Sequence, residues 1–520
     1  MQLASFEGST FEDDTDFLEA TFESEANFLE VDFRGDASFQ EVSFGGEADF
    51  GPASFGGEAN FFSATFQDGA DFYRAQFHGE VDLTNIEFRR WAAFSEASFE
   101  RGADFGGIAV KGGAAFHAAS FGAGASFDGA TFDGEADFGW TVFQAGADFS
   151  NAVFGDATKF ERARFYGELS FVGTTLAKWA DFSRSIFEGP TQLGPMIVDM
   201  LDLDRAVFTR PVQIEVGGRQ ISGLRTRFLA GGHARVAWAE LIFQEAEFPY
   251  PTLISDHSHQ FAFAKDAPQK WKDRAPSQPT KSHMKSLERA NLSGLVLSGI
   301  DLHRCRFSGA HNLDRLRLET TRAFYQSWHI GASRLLLAEE CEWRESHYSN
   351  SRWKRVAKPD DFSVGDGLVI QPREISSLYR GLRKGREDSK DEPGAADFYY
   401  GEMEMRRLDR STPWAERVIL WLYWLVSGYG LRGLRALAWL VTVVVGLAGL
   451  LQVIGFNDGD PGFRDTLIYA AQSAISIASS NTALTEHVSW AGEVLRIVLR
   501  LAGPVLLGLT LLSIRNRVKR

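Results

Sequence analysis

The sequence predicts a mainly β chain whose larger part is a quadrilateral β-helix, followed by a C-terminal α-helical linker and two transmembrane helices. Two observations carry the β-helix. Phenylalanine, present 44 times, recurs from Phe6 to Phe187 at alternating steps of five and six, as at Phe50, Phe55 and Phe61. Two positions before each Phe stands a small residue, usually Ala, with a polar residue between them. One observation carries the membrane helices: Ala436–Phe456 runs 21 residues without a charge, enough to cross a bilayer.

Steps of five and six make the true period 11, and Leu83, Val110 and Leu176 are the residues that stand in for Phe. On an α-helix, successive Phe residues would lie about 140° apart and make two stripes instead of one face. The recurrent Gly would cost such a helix roughly 1 kcal/mol each. A continuous strand fails too, because an odd step sends the next Phe to the opposite face. What remains is a chain that turns a corner after every Phe. Ala48, Asp49 and Phe50 then read small-in, polar-out, large-in, and four such sides close a coil of 22 residues. Phe6, Phe28, Phe50, Phe72, Phe94, Phe116, Phe138, Phe160 and Phe182 form one ladder in this scheme, and Phe11 through Phe187 form the next. A single coil cannot bury its own apolar faces, so many must stack.

These units resemble pentapeptide-repeat proteins, specifically a Phe-rich variant with five- and six-residue sides. The resemblance implies a right-handed quadrilateral β-helix over residues 1–215. After Phe187 the phase slips, with Leu193, Val198, Leu203, Phe208 and Ile214 continuing it loosely. Trp238, Phe243 and Phe248 mark a degenerate continuation over residues 216–261. A second block, residues 287–345, steps by pure fives at Leu292, Leu297, Leu302 and Phe307, and its "ANLSG" and "IDLHR" match the family's alanine–acid/amide–leucine unit. Cys305 falls on an inward site, where it reads as packing. With Cys341 as the other cysteine, no disulfide framework is available. The ladder is in phase from Phe6, which leaves the first coil uncovered and predicts end-to-end pairing of two rods or a start upstream of Met1.

Between the blocks, residues 262–286 read as a basic Pro/Ser linker, and residues 346–372 as a second linker. His257 and His259 stand on one side of an extended segment, too few ligands for a metal site. Residues 373–412 read as a cytosolic helical segment, two polar helices broken at Pro393-Gly394, similar to the stretch that joins repeats to membrane helices in related bacterial proteins. Residues 413–435 read as a juxtamembrane amphipathic helix with Trp421, Tyr423 and Trp424 as an interfacial belt.

The spans are expected at residues 436–456 and 494–514, with an extracytoplasmic loop over 457–493 and a basic tail over 515–520. The tail "RNRVKR", together with Arg432 and Arg435, places both termini in the cytoplasm by the positive-inside rule. Arg496 and Arg500 share one face of the second span and must snorkel, pair or face a polar cavity. Two spans bracketing an amphipathic piece resemble two-span tetrameric cation channels in layout. Tyr469–Ala478 would be the pore helix and Ser479–Thr485 the filter, but "SSNTALT" departs from Thr-Val-Gly-Tyr-Gly, so potassium selectivity is not implied. The candidate pore or intramembrane polar residues are Ser476, Ser479, Ser480, Asn481, Arg496 and Arg500. An anchoring hairpin is the simpler reading of the same segment.

Charge divides the functions. Residues 1–200 carry 34 acidic and 11 basic side chains, a net −23, whereas the whole chain carries −15. No nucleophile–base set, phosphate loop or metal cluster stands out, so no catalytic, cofactor-binding or metal residue is assigned and enzyme activity is not expected. The expected protein is a membrane-anchored interaction or sensing scaffold of the bacterial cytoplasmic membrane, its rod on the cytoplasmic side, with a pore module as one elaboration. Membrane lipid, an unidentified cytosolic protein and a second copy of the chain are the expected partners. The alternative is an acidic DNA mimic that binds a type II topoisomerase or another nucleic-acid-binding protein, a function that some pentapeptide-repeat proteins serve; tethering to a membrane argues against it, and nucleic acid itself is not expected to bind.

Overall fold

The computed structural model describes residues 4–260, 280–319, 323–327, 334–347, 370–456, 462–475 and 488–518. It divides into two compact units, a β-solenoid and a helical unit.

The solenoid is parallel throughout and runs for about 13 turns. Up to Ser170 each side contributes a two-residue strand that pairs in register with the same side of the next coil, as in Ala26↔Ala48 and Ser54↔Gln76. Amides reach from coil to coil: Phe28 N–H donates to the Asp49 carbonyl and Phe50 N–H to the Asp71 carbonyl, each at 2.7 Å. The Phe6 to Phe182 rings stack nearly parallel with centroids 4.7 to 5.0 Å apart. Neighbouring ladders meet edge-on, as Phe39 meets Phe50 at 5.3 Å and 89°, the geometry that aromatic quadrupoles favour.

Two kinds of corner explain the two step lengths. A five-residue step is a tight turn, such as Phe28 to Val31, closed by Val31 N–H to the Phe28 carbonyl at 3.3 Å. Glu30 takes the left-handed conformation there, with φ 56°. The polar residue before Phe primes this turn. Asp49 Oδ1 accepts from Gly51 N–H at 3.0 Å, and Asp71 Oδ1 from Tyr73 N–H at 2.8 Å, as Asx turns do. The six-residue step carries one more residue around its corner.

The slip after Phe187 is a change of coil length. Phe165 pairs with Phe187, Phe187 with Phe208, and Phe208 with Phe228, so the coil shortens from 22 residues to 21 and then 20. Thr191–Asp202 absorbs the loss as one long strand with a register shift. The solenoid continues through Thr252–Asp256. After the segment that follows, His283–Ser286 forms a strand beside Glu240–Ile242, so these residues belong to the solenoid and not to the linker read from the sequence. The Lys285 ammonium holds Glu240 at 2.8 Å. Thr252–Ser255 pairs with Leu295–Ser298, so the second block stacks on the first. Its expected end at residue 345 lies inside a helix, α1 (Ala338–His347), whose buried Glu339 accepts from Phe307 N–H and whose Glu342 holds Arg306 at 2.7 Å.

In the helical unit, α2 (Pro372–Asp388) and α3 (Glu392–Leu408) form a hairpin around Tyr379 and Phe398. The break falls at Ser389–Asp391. Pro393 and Gly394 lie in the first turn of α3, where proline costs no hydrogen bond, and Asp391 Oδ1 caps Gly394 N–H at 3.1 Å. Next come α4 (Trp414–Ser427), α5 (Gly433–Ile454), α6 (Phe463–Ile475) and α7 (Trp490–Val518). Helices α5 and α7 are long and apolar enough to cross a membrane. Ala448, Leu451, Tyr469, Ala470, Ala474 and Leu499 form the core that joins them to α6. Ser489 Oγ donates to the Ile454 carbonyl at 2.7 Å, and Ser513 Oγ to the Gly430 carbonyl at 3.0 Å, so the two helices are antiparallel and matched at both ends.

Candidate functional site

The few cations of the solenoid mostly pair with a carboxylate one coil away. Arg74 meets Glu96 at 2.7 Å, Arg90 meets Asp68 at 2.8 Å, and Lys178 meets Asp156 at 2.8 Å. Many repeat Asp residues are further spent on the Asx turns. A carboxylate-rich coil surface is therefore less free than its formal charge suggests.

One stretch of surface carries carboxylates and no cation. On the side that carries Phe39, Phe61 and Phe105, a groove of about 880 Å³ is lined by Glu58, Glu80, Asp82, Asp104, Asp148 and Glu168, together with small residues and no cation. None of the six carboxylates pairs with a described cation. Its floor is notched by Gly102, Gly124 and Gly146, one per coil. A Cβ on Gly102 or Gly124 would find its nearest neighbour at 4.0 Å, and one on Gly146 at 3.6 Å. Neither backbone conformation nor crowding demands glycine at these positions. By contrast, a Cβ on Gly79 would lie 2.1 Å from the Gly57 carbonyl oxygen. The groove spans five coil spacings, about 24 Å, which matches an extended peptide of about seven residues. The signal was present in the sequence as a 22-residue column, Glu58, Glu80, Gly102, Gly124, Gly146, Glu168, hidden because the Phe period dominates.

At the helical end, Ser476, Ser479, Ser480 and Asn481 lie outside the described residues. Arg496 pairs with Glu493 at 2.8 Å. Arg500 lies one turn further along α7. Among the described residues, the Nε atoms of Arg496 and Arg500, the Tyr469 hydroxyl and the Ser473 hydroxyl are buried and have no hydrogen-bond partner. Tyr469 and Ser473 come from α6 and fall inside the expected pore helix without being among the candidate polar residues; two polar residues one turn apart among Ala and Leu neighbours are the signal. Among the described residues no group of three metal-ligating side chains occurs.

A four-sided parallel solenoid with stacked aromatic ladders defines the class: a structural repeat protein. Residues 1–43, 39–87, 94–139 and 141–192 match the family model described as Pentapeptide repeats (9 copies), and residues 286–322 match Pentapeptide repeats (8 copies). The solenoid over these residues is built of pentapeptide repeats. No curated protein and no solved structure matches it.

Proposed function

We propose that this chain is a membrane-anchored, non-enzymatic scaffold whose solenoid, held on the cytoplasmic side, presents the glycine-notched acidic groove to an extended cationic segment of a protein partner. The groove carries the reading: six carboxylates without cations, over a floor where side chains have been omitted although there is room for them. Helices α5 and α7 supply the anchor, and their apolar surface supports it, with Leu434 77 %, Val453 81 % and Leu501 68 % exposed. The test is anisotropy of a fluorescent deca-lysine peptide added to full-length protein in nanodiscs at low salt. Binding is expected, weakening as salt rises, and Gly124→Leu with Gly146→Leu, which fills the floor, is expected to remove it. Equal binding by the filled variant would reject the groove. Full extraction of the protein from membranes by alkaline carbonate would reject the anchor.

A second reading, a pore, is favoured by one observation: α6 packs against both long helices and buries the Tyr469 and Ser473 hydroxyls, which have no hydrogen-bond partner among the described residues. Ion flux into liposomes that changes in Arg500→Ala would support it, and absence of flux from reconstituted full-length protein would reject it.

A further inference from the structure

The base of α5 collects positive charge that no ion pair with a described residue neutralises. Glu404 is already committed: Arg407 holds it at 2.8 Å, and the Tyr429 hydroxyl donates to it at 3.0 Å. Arg432 and Arg435 rest on aromatic faces. Arg432 lies 4.9 Å over the Tyr400 ring and Arg435 lies 4.6 Å over the Trp424 ring. The two rings are tied by Trp424 Nε1–H to the Tyr400 hydroxyl at 3.1 Å. Neither arginine makes an ion pair with a described residue. Burial, together with the neighbouring Arg435 and Arg334, pulls the Arg432 guanidinium down from its ordinary value.

The helix adds to this field. Arg432 is the N-terminal flanking residue of α5, gives it no side-chain cap, and no acidic residue stands in its first turn. The positive end of the dipole and the free N–H groups of that turn therefore point where the two guanidiniums gather. Directly beside them the helix turns Leu434 and Leu437 outward, 77 % and 42 % exposed. A compact anion is called for at the helix base, and an apolar chain alongside.

We infer that Arg432, Arg435 and the N-terminus of α5 form a binding site for the phosphate of an anionic phospholipid, with an acyl chain running over Leu434 and Leu437. Guanidinium groups suit the site because they pair with phosphate oxygens while keeping a face stacked on aromatic rings, and basic pockets at the cytoplasmic base of membrane helices take anionic headgroups. The inference rests on the membrane-anchored reading above.

The test uses full-length protein in nanodiscs of pure phosphatidylcholine or of phosphatidylcholine with phosphatidylglycerol, reading bound lipids by native mass spectrometry after release into detergent. Wild type is expected to retain phosphatidylglycerol preferentially, and Arg432→Gln with Arg435→Gln to lose about fivefold of that preference for each charge removed. Arg406→Gln, whose partner is Glu416, is expected to leave it unchanged. Inorganic phosphate at millimolar concentration is expected not to displace the lipid. No headgroup preference in the wild type, or an unchanged preference in the double variant, overturns the site. Displacement by free phosphate overturns the lipid as its ligand. Should the double variant fail to fold, Arg432→Lys with Arg435→Lys keeps the charge but not the stacked fork, and full retention there counts against the guanidinium site. Protein that never enters the nanodisc fails the anchor itself, which is a different result from insertion without headgroup preference.

Discussion

Phe50 lies between Phe28 and Phe72, its centroid 4.7 and 4.8 Å from theirs, and is fully buried. Truncation removes two stacks and leaves a cavity that the coils above and below cannot fill, because backbone hydrogen bonds fix their spacing. Phe50→Ala is expected to cost about 3–5 kcal/mol, read as a lower melting temperature. Phe105→Leu is expected to cost far less, since Leu83 already occupies the coil beside it in the same ladder. Glu339 offers a second test. Burial pushes its carboxyl up to about 7, against a smaller opposing effect from the Phe307 N–H. A carboxyl raised in the folded state favours folding while protonated. Its contribution is complete below about pH 4.5 and is lost as pH rises through 7, a span on the order of 3 kcal/mol. Amide exchange at Phe307 is expected to be slower at pH 5.5 than at pH 8 after correction for intrinsic rates, and Glu339→Gln is expected to abolish that difference. A difference that persists in Glu339→Gln would assign the effect elsewhere.

At the scale of the element, glycines with the same name do opposite things. Gly79→Ala drives a methyl to within 2.1 Å of the Gly57 carbonyl and is expected to destabilise the solenoid by several kcal/mol, whereas Gly124→Ala is expected to change it by less than about 0.5 kcal/mol. Comparing their thermal melts checks both. The coil was legible because every side repeats one instruction and in-register stacking forces like onto like, so Phe50 above Phe28 follows from spacing alone. Pro393 was misread because proline marks the stop of one helix and the first turn of the next equally well; only the Asp391 cap decides. The end of the second block was misread for a related reason, since Glu339 and Glu340 look like surface charge until a coil end buries them. The groove was missed because it is defined by cations absent from neighbouring coils, a relation across 22 residues that no local window contains.

For the whole molecule, the two units answer to different physics. Each coil of the solenoid touches only its neighbours, so stability sums along it. The helical unit depends on its surroundings, because the side chains it turns outward from α5 and α7 are apolar. Detergent removal is therefore expected to aggregate the full chain while protease protection of the repeats persists, and loss of both together would show that the units do not fold separately. One feature of the solenoid has a practical side. Ser258 and Ser282 are both buried and hold the coil edge at Trp238 and Ala239, and His283–Ser286 then pairs beside Glu240–Ile242. Loop closure grows only slowly with length, so an insertion between these two anchor points is expected to leave the pairing on either side in place. A fluorescent domain spliced between Ala267 and Pro279 is expected to report on the solenoid in a living cell while leaving the aromatic ladders intact.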